Sequence, residues 1–216
     1  MNAIAPIPPG DNALAAMADD LAGKGWARAD GWFGAELCAA LREDALARFM
    51  AEEDAPAGVG REGDFTLDRS VRQCRLAWLD GGDPAQSAFL SRAEALRLEL
   101  NRRLYLGLLE FEACYAFYPE GGYYGRHRDS FRGARNRVVS LVLYLNPEWD
   151  TDWGGQLIVY EGETPASVDP AFASAVLMLS EETEHEVAET RHPRLAVAAW
   201  WRVNQTVVRE TPLAAI

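Results

Sequence analysis

The spacing of apolar positions divides the chain into a helical first half and a β-rich second half. Over residues 34–54 (GAELCAALREDALARFMAEED), Leu37, Leu41, Ala45 and Phe49 recur every four residues, which predicts an amphipathic helix. Residues 11–22 predict a shorter helix, ended by Gly23 and Gly25. Another helix is expected from about residue 84 to 105, through AFLSRAEALRLELNRRLY. Residues 26–33 read as a strand with a turn at Asp30-Gly31. Residues 55–70 (APAGVGREGDFTLDRS) are Gly-rich, charged and weakly periodic, and read as a long exposed loop or a mobile hairpin. Loops of that length inside a compact domain tend to be functional or disordered.

From residue 109 onward the texture is β. Short runs at 110–118, 123–128, 137–146, 155–160, 173–179, 184–189, 194–203 and 206–209 are separated by Gly, Pro, Asp and Asn. About eight strands at this spacing predict a double-sheet jelly roll or a barrel. The expected fold class is α+β, mainly β, with N-terminal helices packed on a C-terminal β-sandwich. A length of 216 residues fits a single domain. Its expected parts are a loose stretch over 1–10, helical support over 11–108 and a β core over 109–210.

Composition narrows the function classes. Hydrophobic residues make up 49% of the chain, enough for a sizeable core without disulfide or metal staples. The formal net charge of −12 argues against a nucleic-acid partner. Cys38, Cys74 and Cys114 are odd in number and form no CxxC pair, so a reducing cytoplasm is the expected location. The opening MNAIAPIPPGDN lacks the basic and apolar regions of a signal peptide. Apolar stretches such as 195–201 are too short to span a bilayer, so no membrane partner is expected. No heptad pattern is evident, and a monomer is expected.

Three histidines are few enough to weigh singly. His127 and Asp129 stand two apart in YYGRHRDSF, and on a strand that spacing puts both on one face. His185, in the later run TEHEVAE, could complete a facial set of two histidines and one carboxylate, which suits Fe(II) and leaves open positions. Taken alone, His-x-Asp reads more readily as a solvated turn. Arg194 opens RLAVAAWWRV, nine residues after His185, and shares a face with Ala196, Ala198 and Trp200. An inward guanidinium there needs an anion, and the alanines leave room for a dicarboxylate. A salt bridge to an internal Glu or Asp is the plainer alternative. In RVVSLVLYLN, Val139, Leu141, Leu143 and Leu145 form an apolar face, and Ser140 and Tyr144 put hydroxyls on the other. Tyr144 could donate to the same carboxylate as Arg194, or be an ordinary buried tyrosine.

These residues carry a resemblance. The words YPEGGYYGRHRD, RVVSLVLYLNPEW, GGQLIVYEGE and HEV, followed by Arg194 and a strand ending in WW, resemble the iron(II)- and 2-oxoglutarate-dependent dioxygenases. The chain is similar in particular to their prolyl 4-hydroxylase group, which includes the oxygen-sensing prolyl hydroxylases of animals and bacterial relatives. With RQCRLAWLD and the helix after it, the likeness spans roughly residues 25–205. It implies a double-stranded β-helix (jelly roll) with N-terminal supporting helices. It implies Fe(II) on His127, Asp129 and His185. Arg194 and Tyr144 would bind the distal carboxylate of 2-oxoglutarate, and Leu157 would line its methylene chain. Tyr118, Tyr124, Arg137 and Trp200 would border a prolyl-substrate pocket. Arg72, in a finger loop over about 55–77, would touch the peptide. The implied reaction consumes O2 and 2-oxoglutarate, with ascorbate as a reductant, hydroxylates a proline in a protein or peptide, and releases succinate and CO2. The finger sequence is the chain's own and leaves the substrate protein open. A small-molecule hydroxylase of the same chemistry, a non-catalytic metal-binding jelly roll and a zinc hydrolase are the competing readings. The last gives no reason for the Arg194 and Tyr144 pair.

Overall fold

The computed structural model describes residues 11–56, 71–130 and 137–203. The expected loose start over 1–10, most of the finger loop (57–70) and the expected strand over 206–209 lie outside the described residues. Three helices precede the main β region: α1 (Asp11–Lys24), α2 (Ala35–Met50) and α3 (Pro84–Leu104). Strands β1 (Trp26–Arg28), β2 (Ala55–Pro56) and β3 (Arg75–Trp78) lie between them. Eight strands follow: β4 (Glu110–Tyr118), β5 (Tyr124–His127), β6 (Val139–Tyr144), β7 (Leu157–Tyr160), β8 (Ala166–Val168), β9 (Ala175–Leu179), β10 (Glu184–Val187) and β11 (Arg194–Arg202).

Local chemistry sets the helix ends. Asp83 caps α3, its Oδ1 accepting from Ala85 N at 2.7 Å, with Pro84 in the first turn where a missing N–H costs nothing. Gly25 ends α1 at φ +80°; its amide donates to Leu21 O and its carbonyl accepts from Thr183 Oγ1 at 2.7 Å. The strand expected over 26–33 is shorter than its pattern. It ends at Arg28, and Trp32 and Phe33 turn into the helical layer.

The strands form two antiparallel sheets, a seven-stranded one in the order β1-β9-β6-β11-β4-β3-β2 and a four-stranded one in the order β5-β10-β7-β8. Together they make the expected jelly roll. The helices cover the outer face of the large sheet. Leu37, Leu41, Phe89 and Leu96 meet Val139, Leu141, Val197 and Trp201 in one continuous apolar cluster. Each such large side chain contributes about 1.5–3 kcal/mol relative to exposure. Polar groups tie the layers as well. Asp44 of α2 accepts from Tyr115 Oη at 2.6 Å and from Gln86 Nε2 at 2.7 Å, joining α2, α3 and β4. Burial, with Asp44 beside it, pushes the Tyr115 phenol up, so it stays a donor.

Of the alternatives weighed for the run from residue 55, a long loop or a hairpin, the described residues at its two ends form strand. Residues Arg75–Trp78 are a full member of the large sheet, in register with Cys114 to Phe117 of β4, and Ala55 and Pro56 pair back onto Leu76 and Arg75. The base of the expected finger is therefore a hairpin. Its strands are too short for their alternation to stand out from the flanking Gly-rich run.

Candidate active site

The inner faces of the two sheets line a cleft. β5 and β10 are neighbours in the small sheet, and His127 and His185 are direct cross-strand partners with ring centroids 4.3 Å apart. His127 Nδ1 lies 2.8 Å from Gly125 O, and His185 Nδ1 lies 3.1 Å from Thr183 O. A ring nitrogen facing a carbonyl donates to it, so in both rings Nε2 is the atom left to face the cleft. Those Nε2 atoms lie 3.6 and 3.7 Å from Asp129 Oδ1 and Oδ2. One ligand atom from each of His127, Asp129 and His185 falls within 4.8 Å of the others.

Asp129 reaches this point differently from the expected route. β5 ends at His127, so strand alternation does not bring Asp129 to the histidine face. The chain bends after His127, and Ser140 of β6 takes hold of the carboxylate, Oγ donating to Asp129 Oδ2 at 2.6 Å. Ser140 Oγ is itself 2.8 Å from Ser180 Oγ. Burial pushes the Asp129 carboxyl up, but the His127 and His185 rings and the Ser140 hydroxyl outweigh it and hold the group far below the usual carboxylate range. Burial and the neighbouring His127 ring depress His185, against the pull of Asp129. The set is thus one carboxylate and two imidazoles, the donor chemistry of a facial iron(II) site.

Arg194 stands deeper in the cleft, 1% exposed. Its Nε donates to Gly155 O at 2.9 Å. That carbonyl is aimed by a turn only glycine can make. Gly154 and Gly155 have φ of +75° and +68°, and a Cβ on Gly154 would stand 2.2 Å from Glu189 O. The guanidinium carbon is 5.1 Å from the centroid of the Tyr144 ring and 4.9 Å from that of Tyr118. Arg194 Nη2 and Tyr144 Oη are both buried without a hydrogen-bond partner. Among the described residues no carboxylate pairs with Arg194, so the internal salt bridge weighed from sequence is not formed. Burial pushes the Tyr144 phenol up to about 12, leaving it a donor at any working pH. Two unsatisfied donors cost about 1–3 kcal/mol each. A carboxylate between them removes that cost, and Ala196, Ala198 and Leu157 on the cleft wall leave it space. The residues present therefore fit both an iron(II) ion and a dicarboxylate beside it.

The other expected residues surround this centre. The Tyr124 ring stacks on His127 at 3.6 Å between centroids. Tyr118 and Trp200 line the cleft, as does Arg72, whose guanidinium lies 4.4 Å from the Tyr124 ring centroid. Arg137 stacks on the cleft-lining Trp200, 3.8 Å from a ring centroid, with Nη2 2.7 Å from Glu112 Oε1. Sequence reasoning missed Trp78. It is 52% exposed beside Trp200, with ring centroids 6.4 Å apart, and the unrecognised β3 carries it there. Nothing in the sequence signals Ser180, which reaches Asp129 only through Ser140. His192, read as a solvent-facing loop residue, is exposed and stacks on Trp153.

Comparison with known proteins agrees with this geometry. The family profile of the 2OG-Fe(II) oxygenase superfamily matches residues 113–202. A Pseudomonas putida prolyl-4-hydroxylase structure is 37% identical, covering 88% of this chain and 99% of that one, with a TM-score of 0.80. A prolyl hydroxylase in complex with a hypoxia inducible factor oxygen degradation domain peptide fragment from Trichoplax adhaerens is 25% identical, covers 88% of this chain and 89% of that one, and also gives 0.80. Mouse (Mus musculus) prolyl hydroxylase EGLN3 is 31% identical over 143 residues, 62% of this chain and 59% of that protein. The chain spans 35% to 59% of the length of the curated relatives it matches first. With the matched segment running from β4 to the end of β11, and with identity held across nearly the whole of the bacterial enzyme, the chain belongs to the 2OG-Fe(II) oxygenase superfamily, in its prolyl hydroxylase-like group.

Proposed function

We propose that the chain hydroxylates a prolyl residue in a protein or peptide, using Fe(II), 2-oxoglutarate and O2 and releasing succinate and CO2, with ascorbate as a reductant. One observation carries the reading. The His127, Asp129 and His185 cluster shares its cleft with the unpartnered Arg194 and Tyr144 donors. A metal module without catalysis would have no use for that second pair.

Bound together, iron(II) and 2-oxoglutarate supply the oxidative decarboxylation that puts one oxygen atom on a substrate C–H bond. The chain's own residues bind and orient. His127, Asp129 and His185 would hold the metal, with Gly125 O, Thr183 O and Ser140 Oγ fixing the angle of each ligand. Arg194 and Tyr144 would hold the distal carboxylate, and Leu157 would pack on the methylenes. Buried aliphatic walls keep water from the reacting atoms. Tyr118, Tyr124 and Trp200, backed by Arg137, would hold the proline ring. Aromatic and arginine side chains are typical anchors for polypeptide ligands, and the exposed Trp78 extends that surface outward.

Free buried Cys38, Cys74 and Cys114 support a reducing cytoplasm. No helix among the described residues is long and apolar enough to cross a membrane. The monomer expected from sequence remains part of this proposal. The experiment is an anaerobic titration of the apo-protein with Fe(II) and then 2-oxoglutarate, followed by oxygen and a proline-peptide panel. A visible charge-transfer band that needs both additions, and one added oxygen atom on proline, are expected. Normal metal binding with no band sinks the dioxygenase reading. A band with oxygen added only to a free amino acid gives the place to the small-molecule hydroxylase.

A further inference from the structure

Arg72 is a buried guanidinium without a counterion. It is 9% exposed and lines the same cleft as the iron ligands. Its Nε donates to the Cys74 thiol at 2.9 Å, and its guanidinium faces the Tyr124 ring. Among the described residues it forms no ion pair, unlike Arg75 three positions on, which pairs with Asp54. Burial of a permanently charged group with a thiol and a ring as its partners is costly unless an anion arrives.

The charges of the loaded cleft say where that anion must come from. Asp129 and a 2-oxoglutarate dianion would match the charge of divalent iron and Arg194. Arg72 is then left uncompensated. It contacts Tyr124, whose ring also stacks on His127, so it stands beside a ring that adjoins the iron site. The isolated bridge between Arg72 and Tyr124 fixes the two backbones together and holds the guanidinium at that position. All this positive charge sits in a chain of formal net charge −12, so it is a local arrangement against the general field.

We propose that Arg72 is a carboxylate subsite, and that the substrate carries a negative charge next to the residue that is hydroxylated. The inference rests on the prolyl reading of the cleft and deepens it. A carboxylate can come from an acidic side chain flanking the proline or from the α-carboxylate of a C-terminal proline, and both present the same group to the fork of the guanidinium.

The test is calorimetric binding to the full chain loaded with Mn(II) and 2-oxoglutarate under argon, where no turnover occurs. Blocked peptides differ only as Glu against Gln on either side of proline, or as a C-terminal proline carboxylate against its carboxamide. One acidic member is expected to bind about tenfold or more tighter than its neutral partner, the scale of a charge-assisted hydrogen bond. Which pair shows the difference identifies the source of the carboxylate. In Arg72→Gln the ratio of acidic to neutral affinity should fall to within about twofold whatever happens to the neutral peptide's own affinity, a pattern that a merely structural role would not give. The wild-type comparison stands by itself should the variant fail to fold. Equal affinity of acidic and neutral members, or no binding of either at millimolar peptide, overturns the subsite. Aerobic turnover of the same peptides separates the two proposals. Acid preference without proline hydroxylation keeps the subsite and removes the prolyl reading, and hydroxylation without acid preference does the reverse.

Discussion

Replacing Arg194 by Met should weaken cofactor binding without weakening the apo fold. The guanidinium is 1% exposed, its Nη2 has no partner, and no described carboxylate pairs with it. In the apo-protein the fold therefore carries an uncompensated charge. Exchange of buried charged groups for apolar ones of similar volume is often neutral or stabilising by about 1–4 kcal/mol. Urea unfolding of apo Arg194→Met should show a midpoint at or above that of the wild type. Binding should move the other way. A charge-assisted hydrogen bond is worth about 1.5–3 kcal/mol, so losing the fork costs roughly 3 kcal/mol, or about a hundredfold in the Kd for 2-oxoglutarate. Calorimetry on the Mn(II)-loaded protein reads that directly. Thermal shift gives an independent check. Ligand at about 100 times the wild-type Kd adds about 2.7 kcal/mol, a rise of roughly 5–10 °C for a domain of this size. The same concentration should move the variant by only about 1 °C. An apo variant destabilised by about 3–5 kcal/mol, as when one partner of a buried ion pair is removed, would refute the reasoning. So would a Kd that changes less than about threefold.

Three further outcomes follow from other contacts. Asp44→Ala strips partners from Tyr115 and Gln86. It should cost about 2–4 kcal/mol in urea unfolding while the Kd for 2-oxoglutarate stays put, and a loss under about 1 kcal/mol would show that water replaces the carboxylate. Ser140→Ala removes the 2.6 Å hydrogen bond to Asp129 and should weaken Mn(II) binding about 10- to 100-fold by equilibrium dialysis; unchanged affinity would show that the carboxylate is held without it. The apo fold should lose stability on acidification. His185 is depressed by burial and Asp129 by its neighbours, so the unfolded chain takes up protons first, at about pH 6.5 for imidazole and about 3.9 for carboxylate. The His185 contribution is present above pH ~6.5 and is lost as pH falls from there toward its lower folded value. The Asp129 contribution is lost only below pH ~3.9. Urea midpoints at pH 7.5 and 5.5 should differ in the wild type and differ less in His185→Gln; a wild-type midpoint that is flat across that interval would count against the assignment.

Much of this was legible in the sequence because the β half obeys period two so cleanly. The alternation in β6 and β11 separates a face of Val139, Leu141, Leu143, Val197 and Trp201 from a face of Ser140, Tyr144, Arg194 and Trp200, and the structure sends the first to the helices and the second to the cleft. The helix at 34–54 was readable from its four-residue spacing, and the one from residue 84 from its sequence run. What escaped was set by tertiary contact. β3 pairs through backbone with β4, and four residues are too few for a pattern, so Trp78 went unnoticed. Asp129 looked like a strand neighbour of His127 and is in fact placed by a bend and by Ser140, a residue eleven positions away.

The two faces of the large sheet divide the work of the chain. On the outer face large side chains pack on apolar neighbours and the buried Asp44 and Gln86 have partners, with Trp201 Nε1 left without one. On the inner face Arg194 Nη2, Tyr144 Oη and Trp200 Nε1 are buried without partners. A fold tolerates unpaired groups of that cost only if stability is supplied elsewhere, and here it comes from the helix-backed layer. The same strands supply both, so a ligand entering the cleft satisfies donors that are already rigidly placed. Preorganisation of that kind is what a site needs if binding energy is to go into positioning rather than into ordering side chains. It also explains why the Arg194 and Asp44 variants should part company: one removes a cost that the apo fold carries for its ligand, and the other removes part of the support that lets the fold carry it.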